Sequence, residues 1–333
     1  MRTPGYSTQD ALSLVHHSGG PNSSWRVASG LGRGQTKRDL TNDEIHFVGG
    51  VMVDLTSADS MEPAGRPAEG AHVDPFFEGF NQPITAPLYP DPPYYYRGAQ
   101  VLLGIYEAAD TDAVRRHLPP GVTVAEDPAV CITWVCHYPF STFGTYNELI
   151  QLVRVKYEDV VYLYCPLIYT DAEAPLAAGR EVWGWPKKMA DLKFTNGGTG
   201  PGFREMMQFE MERPSRKRIC TVTFNPERPA TMEDVGNTPH LTLRYMPGPE
   251  AGAKPSVCEL IRTEPSTVPH ITADGSPMIW WGRCTVTMDS PSVADPMSDF
   301  APGKMLDSIY GVFDWTLPQG RVVHDFLSES LVK

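Results

Sequence analysis

With 333 residues, 41% of them hydrophobic and 20% charged, the chain can bury a sizeable core and is not a disordered protein. A formal net charge of −12, relieved by no Lys/Arg-rich run, excludes nucleic acid and anionic lipid as partners. No stretch approaches the roughly 20 apolar residues of a membrane span, so no membrane partner is expected either.

Residues 1–70 read as an N-terminal extension of unknown role, rich in Gly, Ser, Thr, Asp and Arg, with one apolar patch at Ile45–Leu55. It either lies over the core or another subunit, or forms an arm. The opening Met1-Arg-Thr-Pro-Gly-Tyr-Ser lacks the apolar run of a secretory signal. Cys131, Cys136, Cys165, Cys220, Cys258 and Cys284 form no CxxC pair and mostly sit in apolar, strand-like runs. They are expected to be buried thiols of a cytoplasmic protein rather than disulfides or metal ligands.

Residues 71–333 form the second unit, and there the pattern is mainly β. Strands are predicted at Val101–Glu107, Val130–His137, Leu152–Tyr157, Val160–Ile168 and Glu205–Glu212. Others follow at Ile219–Phe224, Leu241–Tyr245, Val257–Thr263, Ile279–Met288 and Ile309–Leu317. Their Val, Ile, Thr and aromatic residues suit a pleated, half-buried surface, and 32 prolines with 29 glycines suit many turns. Helices are predicted at Thr111–Leu118, which has an acidic start and stops before Pro119-Pro120, and at Gly320–Leu327. Strands and helices do not alternate, so a doubly wound parallel sheet is not expected. Gly197-Gly-Thr-Gly-Pro-Gly202 lacks the context of a nucleotide fingerprint and reads as a hairpin loop.

The segment that carries chemistry is Ala178-Gly-Arg-Glu-Val-Trp-Gly-Trp-Pro-Lys-Lys-Met189. Two adjacent ammonium groups in an apolar stretch are each desolvated and repel each other, and both effects favour the neutral amine. A neutral amine is a nucleophile toward a ketone. Trp183, Trp185, Trp280, Trp281 and Trp315 are candidates to line a pocket. Trp185 leads them because it lies two residues before Lys187. His137, His240, His270 and His324 are isolated, with no HxxxH or HxH spacing, so no metal site is expected.

The Gly-Arg-Glu…Trp-Pro-Lys-Lys run resembles the signature of the acetoacetate decarboxylase-like superfamily, in which the first lysine forms a Schiff base. Activation of such a lysine by a cationic neighbour is the established case of acetoacetate decarboxylase itself, applied to this chain through the resemblance. Carried over by position, Lys187 is the nucleophile and Lys188 its cationic neighbour. Gly144-Thr-Tyr-Asn-Glu-Leu149 resembles a stretch that keeps a glutamate near the imine, which makes Glu148 a proton shuttle or charge partner. Tyr106–Pro119, Leu241–Pro247 and Val257–Arg262 also resemble family segments, so the likeness runs over about residues 72–330.

Two positions depart from the pattern. Acetoacetate decarboxylases carry a second glutamate on the strand equivalent to Val130–His137, and Thr133 stands at that place. The family's substrate-side arginine belongs near the start of the first core strand. Arg97 is the nearest candidate, whereas a gap-free alignment puts Gln100 there. Arg97, Gln100, Thr133 and Trp185 are therefore the substrate-binding candidates.

The resemblance implies a mainly β (α+β) fold, with curved antiparallel sheets forming a closed barrel-like cavity and a few peripheral helices. It implies a homo-oligomer acting on a small keto acid, with an aldehyde as co-substrate in the aldol variant, and no cofactor. The activity implied is carbon–carbon lyase chemistry, either decarboxylation or aldol condensation with dehydration. The alternatives are a non-catalytic ligand-binding β-barrel, and a hydratase or hydrolase using Glu148 and a histidine.

Overall fold

A computed structural model describes residues 80–195 and 206–328, together with a short antiparallel pair, β1 (Phe47–Val48) and β2 (Val51–Met52). The chain divides into two units, Met1–Ala71 and His72–Lys333. In the first unit only the β1–β2 pair is described. The predicted Gly197–Gly202 loop lies outside the described residues.

The second unit is built on one sheet of sixteen strands among the described residues. In chain order they begin with β3 (Tyr94–Ala108), β4 (Thr123–Val124), β5 (Val130–Tyr138), β6 (Phe140–Ser141), β7 (Tyr146–Tyr157) and β8 (Val160–Thr170). Next come β9 (Lys187–Met189), β10 (Asp191–Phe194), β11 (Met207–Glu212), β12 (Arg218–Pro229) and β13 (His240–Met246). The last are β14 (Val257–Thr263), β15 (Ser266–Pro269), β16 (Ile279–Met288), β17 (Pro302–Leu317) and β18 (Arg321–Asp325). Neighbouring strands run β10-β11-β12-β16-β17-β3-β5-β7-β8-β13-β14-β18.

Three expectations are corrected here. The sheet is mixed rather than antiparallel, because β8 pairs in parallel with both β9 and β13. Among the described residues it is not closed by hydrogen bonds into a barrel: the path of paired strands runs from β10 to β18 without joining them. Each is a short strand paired on one side only, β10 with β11 and β18 with β14. The predicted helix at Gly320–Leu327 is instead β18, whose Arg321, Val322 and His324 find ladder partners on β14. Tertiary pairing overrides a weak helical pattern in a segment with two adjacent valines.

The two faces of the central strands bury different things. On β5, Cys131, Thr133 and Val135 point to one face, while Ile132, Trp134, Cys136 and Tyr138 point to the other. The first face packs against β11, β12 and β16 through residues such as Tyr106, Phe209, Val222 and Phe224. The second face walls a cavity of about 350 Å³.

Two bulges shift this alternation. In β3, Arg97 and Gly98 together oppose Asp314 of β17, and Gly98 takes the left-handed conformation with φ +63°. Tyr94 and Tyr96 therefore face the cavity before the bulge, and Val101, Leu103 and Ile105 after it. A second irregularity places Cys165 and Pro166 of β8 opposite Leu152.

Helices are few and short. The predicted first helix spans Thr111–Arg115, and Asp110 caps it by accepting from the backbone of Asp112 and Ala113 at 2.9 and 3.0 Å. A second, Glu173–Ala178, runs into a π-helical turn, Gly179–Trp183, that leads to Lys187. Among the described residues no helix is long and apolar enough to cross a membrane. All six cysteines are free; four are buried, and Cys258 and Cys284 are half-buried.

Candidate active site

The π-helical turn sets the position of Lys187. It ends at Gly184, whose φ of +76° and close approach to the Arg244 backbone leave no room for a side chain. The chain then folds back, with Trp185 N–H donating to Gly179 O at 2.9 Å and Lys187 N–H to Trp185 O at 2.7 Å. Arg180 also donates to the Lys187 carbonyl, at 3.2 Å. The turn is tied to the body by Trp183 Nε1, which donates to Pro318 O at 3.0 Å, and by Arg244 Nε, which donates to Glu181 O at 2.7 Å.

Strand β9 begins at Lys187, so alternation sends Lys187 and Lys188 to opposite faces. Lys187 is buried and faces the cavity. Its Nζ makes a direct ion pair with Oε1 of Glu148, itself only 4% exposed. Glu148 comes from the cavity face of β7, and its other oxygen accepts from Tyr138 Oη at 3.0 Å. The Tyr146 ring lies under Lys187 Nζ at 5.9 Å, and the Tyr146 hydroxyl donates to that of Tyr96 at 3.2 Å. Burial, reinforced by Cys136 and Glu148, pushes the Tyr138 phenol well above its ordinary range. Tyr138 is therefore a hydrogen-bond donor to Glu148 and not a base. Burial likewise pushes the Cys136 thiol up.

The other predicted residues are placed as follows. Trp185 lines the cavity. Lys188 does not share the Lys187 pocket: its Nζ donates to Ala294 O and lies 3.2 Å from the buried carboxylate of Asp295, which also pairs with Arg213 at 3.0 Å. Thr133 lies on the opposite face of β5, where it bonds Tyr106 Oη at 2.8 Å and Gln151 Oε1 at 3.0 Å. Gln100 also faces away and accepts from Tyr310 Oη at 3.3 Å. Arg97 is half-exposed beside Asp314, 3.6 Å away. The bulge at Gly98 puts both Arg97 and Gln100 on the face away from the cavity, so neither lines it.

Three groups near Lys187 were not singled out by sequence reasoning. Tyr138 and Tyr146 share the cavity face of their strands with Glu148, a relation that period-2 alternation could have exposed. Gly179 belongs to the Gly-Arg-Glu run, but the space it leaves for a distant side chain has no local signal. His240 and Arg154 also line the cavity. Among the described residues no group of three or more His, Cys, Asp or Glu side chains is placed to hold a metal ion. A buried amine in contact with a buried carboxylate, inside an apolar cavity, can exchange a proton internally and present a nucleophile to a carbonyl carbon.

Known proteins share this arrangement of strands. The chain is 28% identical over 255 residues to an acetoacetate decarboxylase of Bordetella avium, covering 75% of this chain and 96% of the relative. It is 26% identical over 260 residues to that of Acidiphilium cryptum, covering 75% and 96%. The crystal structure of acetoacetate decarboxylase from Legionella pneumophila superposes with a TM-score of 0.64 at 26% identity, covering 78% of this chain and all of that one. The enduracididine biosynthesis enzyme MppR, solved with the condensation product of pyruvate and imidazole 4-carboxaldehyde, shares the fold at 20% identity and a TM-score of 0.60, over 74% of this chain and 97% of that one. Residues 81–327 match the family model for acetoacetate decarboxylase, so the chain belongs to the acetoacetate decarboxylase family.

Proposed function

We propose that Lys187 forms a Schiff base with a small keto acid and that Glu148 moves the protons. The observation that carries this reading is the buried Lys187–Glu148 ion pair inside an aromatic-walled cavity. Glu148 takes a proton from the Lys187 ammonium, and the freed amine attacks the keto carbon. Loss of water gives the iminium, an electron sink. In a β-keto acid it accepts the electrons of the breaking C–C bond, carbon dioxide leaves, and the enamine is reprotonated. In a pyruvate-like substrate, loss of a proton gives the enamine, which adds to an aldehyde, and the adduct then loses water. Tyr138 holds Glu148 in place throughout.

Of the two outcomes we favour condensation and dehydration. Thr133, Arg97 and Gln100 do not line the cavity, so none of them orients a substrate carboxylate for departure. The fold-mate MppR has been solved with a pyruvate–aldehyde condensation product, which is compatible with that choice. Lys188, bound to Asp295, is proposed to brace β9 and hold Lys187 in register. We further propose a cytoplasmic homo-oligomer that needs no cofactor. The test is incubation with pyruvate or acetoacetate, reduction with borohydride and mapping of the adduct by mass spectrometry. An adduct on Lys187 is expected; a stable protein that yields none with any keto acid sinks the reading.

A further inference from the structure

The polar lining of the cavity includes the Lys187–Glu148 pair and, apart from it, Arg154, Asp234, Asn237, Thr238 and His240. His240 opens β13 and is 8% exposed. Its ring lies between two indoles, 5.7 Å from Trp134 and 5.4 Å from Trp185, both nearly edge-on. Among the described residues its Nδ1 has no hydrogen-bond partner. A buried polar atom left unpaired costs about 1–3 kcal/mol, which a bound ligand can relieve.

Strand register shows what surrounds it. Leu163 of β8 pairs with His240 on one side and with Arg154 of β7 on the other. Arg154 thus stands two strands away in the same row, about 10 Å from His240 between Cα atoms. Its Nε and Nη2 both donate to Glu126 Oε1, at 3.2 and 3.0 Å. The charge of Arg154 is therefore compensated. The imidazole is neutral too, since burial pushes its pKa down to about 4. This end of the cavity carries hydrogen-bonding capacity without net positive charge. Lys187 pairs with Ile168, five positions along β8 from Leu163, about 15 Å away along the backbone. The wall between is apolar: Leu103, Ile132, Ile150 and Leu163, with the indoles beyond.

We propose that His240 is a specificity-determining residue that recognises a neutral hydroxyl at the far end of an elongated, aryl-bearing keto acid whose carbonyl lies at Lys187. The hydroxyl bonds an imidazole nitrogen, and the aryl ring packs against Trp134 and Trp185. A second carboxylate at that end would meet no uncompensated cation and is disfavoured. The inference rests on the Schiff-base reading for the carbonyl end alone, so its test uses ligands without a ketone.

Binding of 3-(4-hydroxyphenyl)propanoate and 3-phenylpropanoate to the full chain is measured by calorimetry. The hydroxylated probe is expected to bind about tenfold more tightly, as one hydrogen bond to an otherwise unpaired buried group allows. His240→Phe should reduce that preference to within about twofold while still binding 3-phenylpropanoate. His240→Gln, which keeps a donor and an acceptor, should retain most of it, and covers the case in which the Phe variant fails to fold. 3-(4-Carboxyphenyl)propanoate should bind more weakly than either. Equal affinity of the wild type for the first two probes, no binding of either, or an undiminished preference in His240→Phe would each overturn the proposal. Failure of borohydride trapping with the hydroxyl preference intact would remove only the Schiff-base reading.

Discussion

Gly179 and Lys187 share one volume: a Cβ built on Gly179 would lie 2.7 Å from Lys187 Cε and 2.8 Å from its Cδ. The backbone at Gly179 is ordinary right-handed helix, so glycine is needed there for space and not for conformation. Gly179→Ala should push the lysine away from the position that faces a bound carbonyl. A displacement near 1 Å can cost about a hundredfold in rate. We expect kcat to fall by about that factor while circular dichroism stays unchanged. An active Gly179→Ala enzyme would show that the Lys187 methylenes can yield.

Lys187→Ala should abolish turnover and adduct formation while the fold survives. It leaves Glu148 buried without its cation, a loss of about 3–5 kcal/mol when one partner of a buried pair is removed. The paired change Lys187→Met with Glu148→Gln should recover most of that stability and none of the activity. Urea denaturation of the single and double variants checks the first point, and borohydride trapping the second.

Lys188 sits on the far side of β9 against Asp295, so its charge is both averted and compensated. Lys188→Gln should therefore move the pH–rate profile by no more than about half a unit and act mainly through stability. An alkaline shift of a full unit or more would mean that its charge reaches across the strand after all.

His240 gives a pH signature of stability that is independent of catalysis. Burial pushes its pKa from 6.5 down to about 4 in the fold. Between those values the unfolded chain binds the extra proton, so the contribution is fully favourable above pH 6.5 and is lost as pH falls toward 4. The loss is on the order of 3 kcal/mol. The fall in urea midpoint over that range should be shallower in His240→Gln. Parallel curves for the two proteins would show that His240 protonates freely.

Acetoacetate should be a poor substrate for decarboxylation, because the cavity offers its carboxylate no arginine freed from a partner. Carbon dioxide release and the condensation of pyruvate with an aromatic aldehyde should be followed in parallel. Decarboxylation with kcat in the usual enzyme range of about 1–1000 per second would replace the condensation reading with the plain decarboxylase one.

Much of this was legible in the residues, and the failures share a physical cause. The strands Val257–Thr263 and Ile279–Met288 emerge with the boundaries that composition suggests, because alternating β-branched residues report directly on pleat. The proximity of Lys187 and Glu148, 39 positions apart, came from resemblance and not from pattern. Short strands such as β9 and β18 owe their existence to a neighbour's edge, which no local signal encodes. Arg97, Gln100 and Thr133 face away from the cavity, because facing depends on strand phase, which a short motif does not carry and which the bulge at Gly98 resets for Arg97 and Gln100.

That reset has a use. The aromatic wall of the cavity on β3 is made of Tyr94 and Tyr96 because Gly98 opens the bulge beyond them. Pairing this glycine into the ladder, with no residue removed, would restore a continuous pleat. It would turn both tyrosines outward and swing Tyr95 and Arg97 in, placing a guanidinium in a chamber now lined there by phenols. One bulged residue separates a cavity lined there by rings from one lined by a cation.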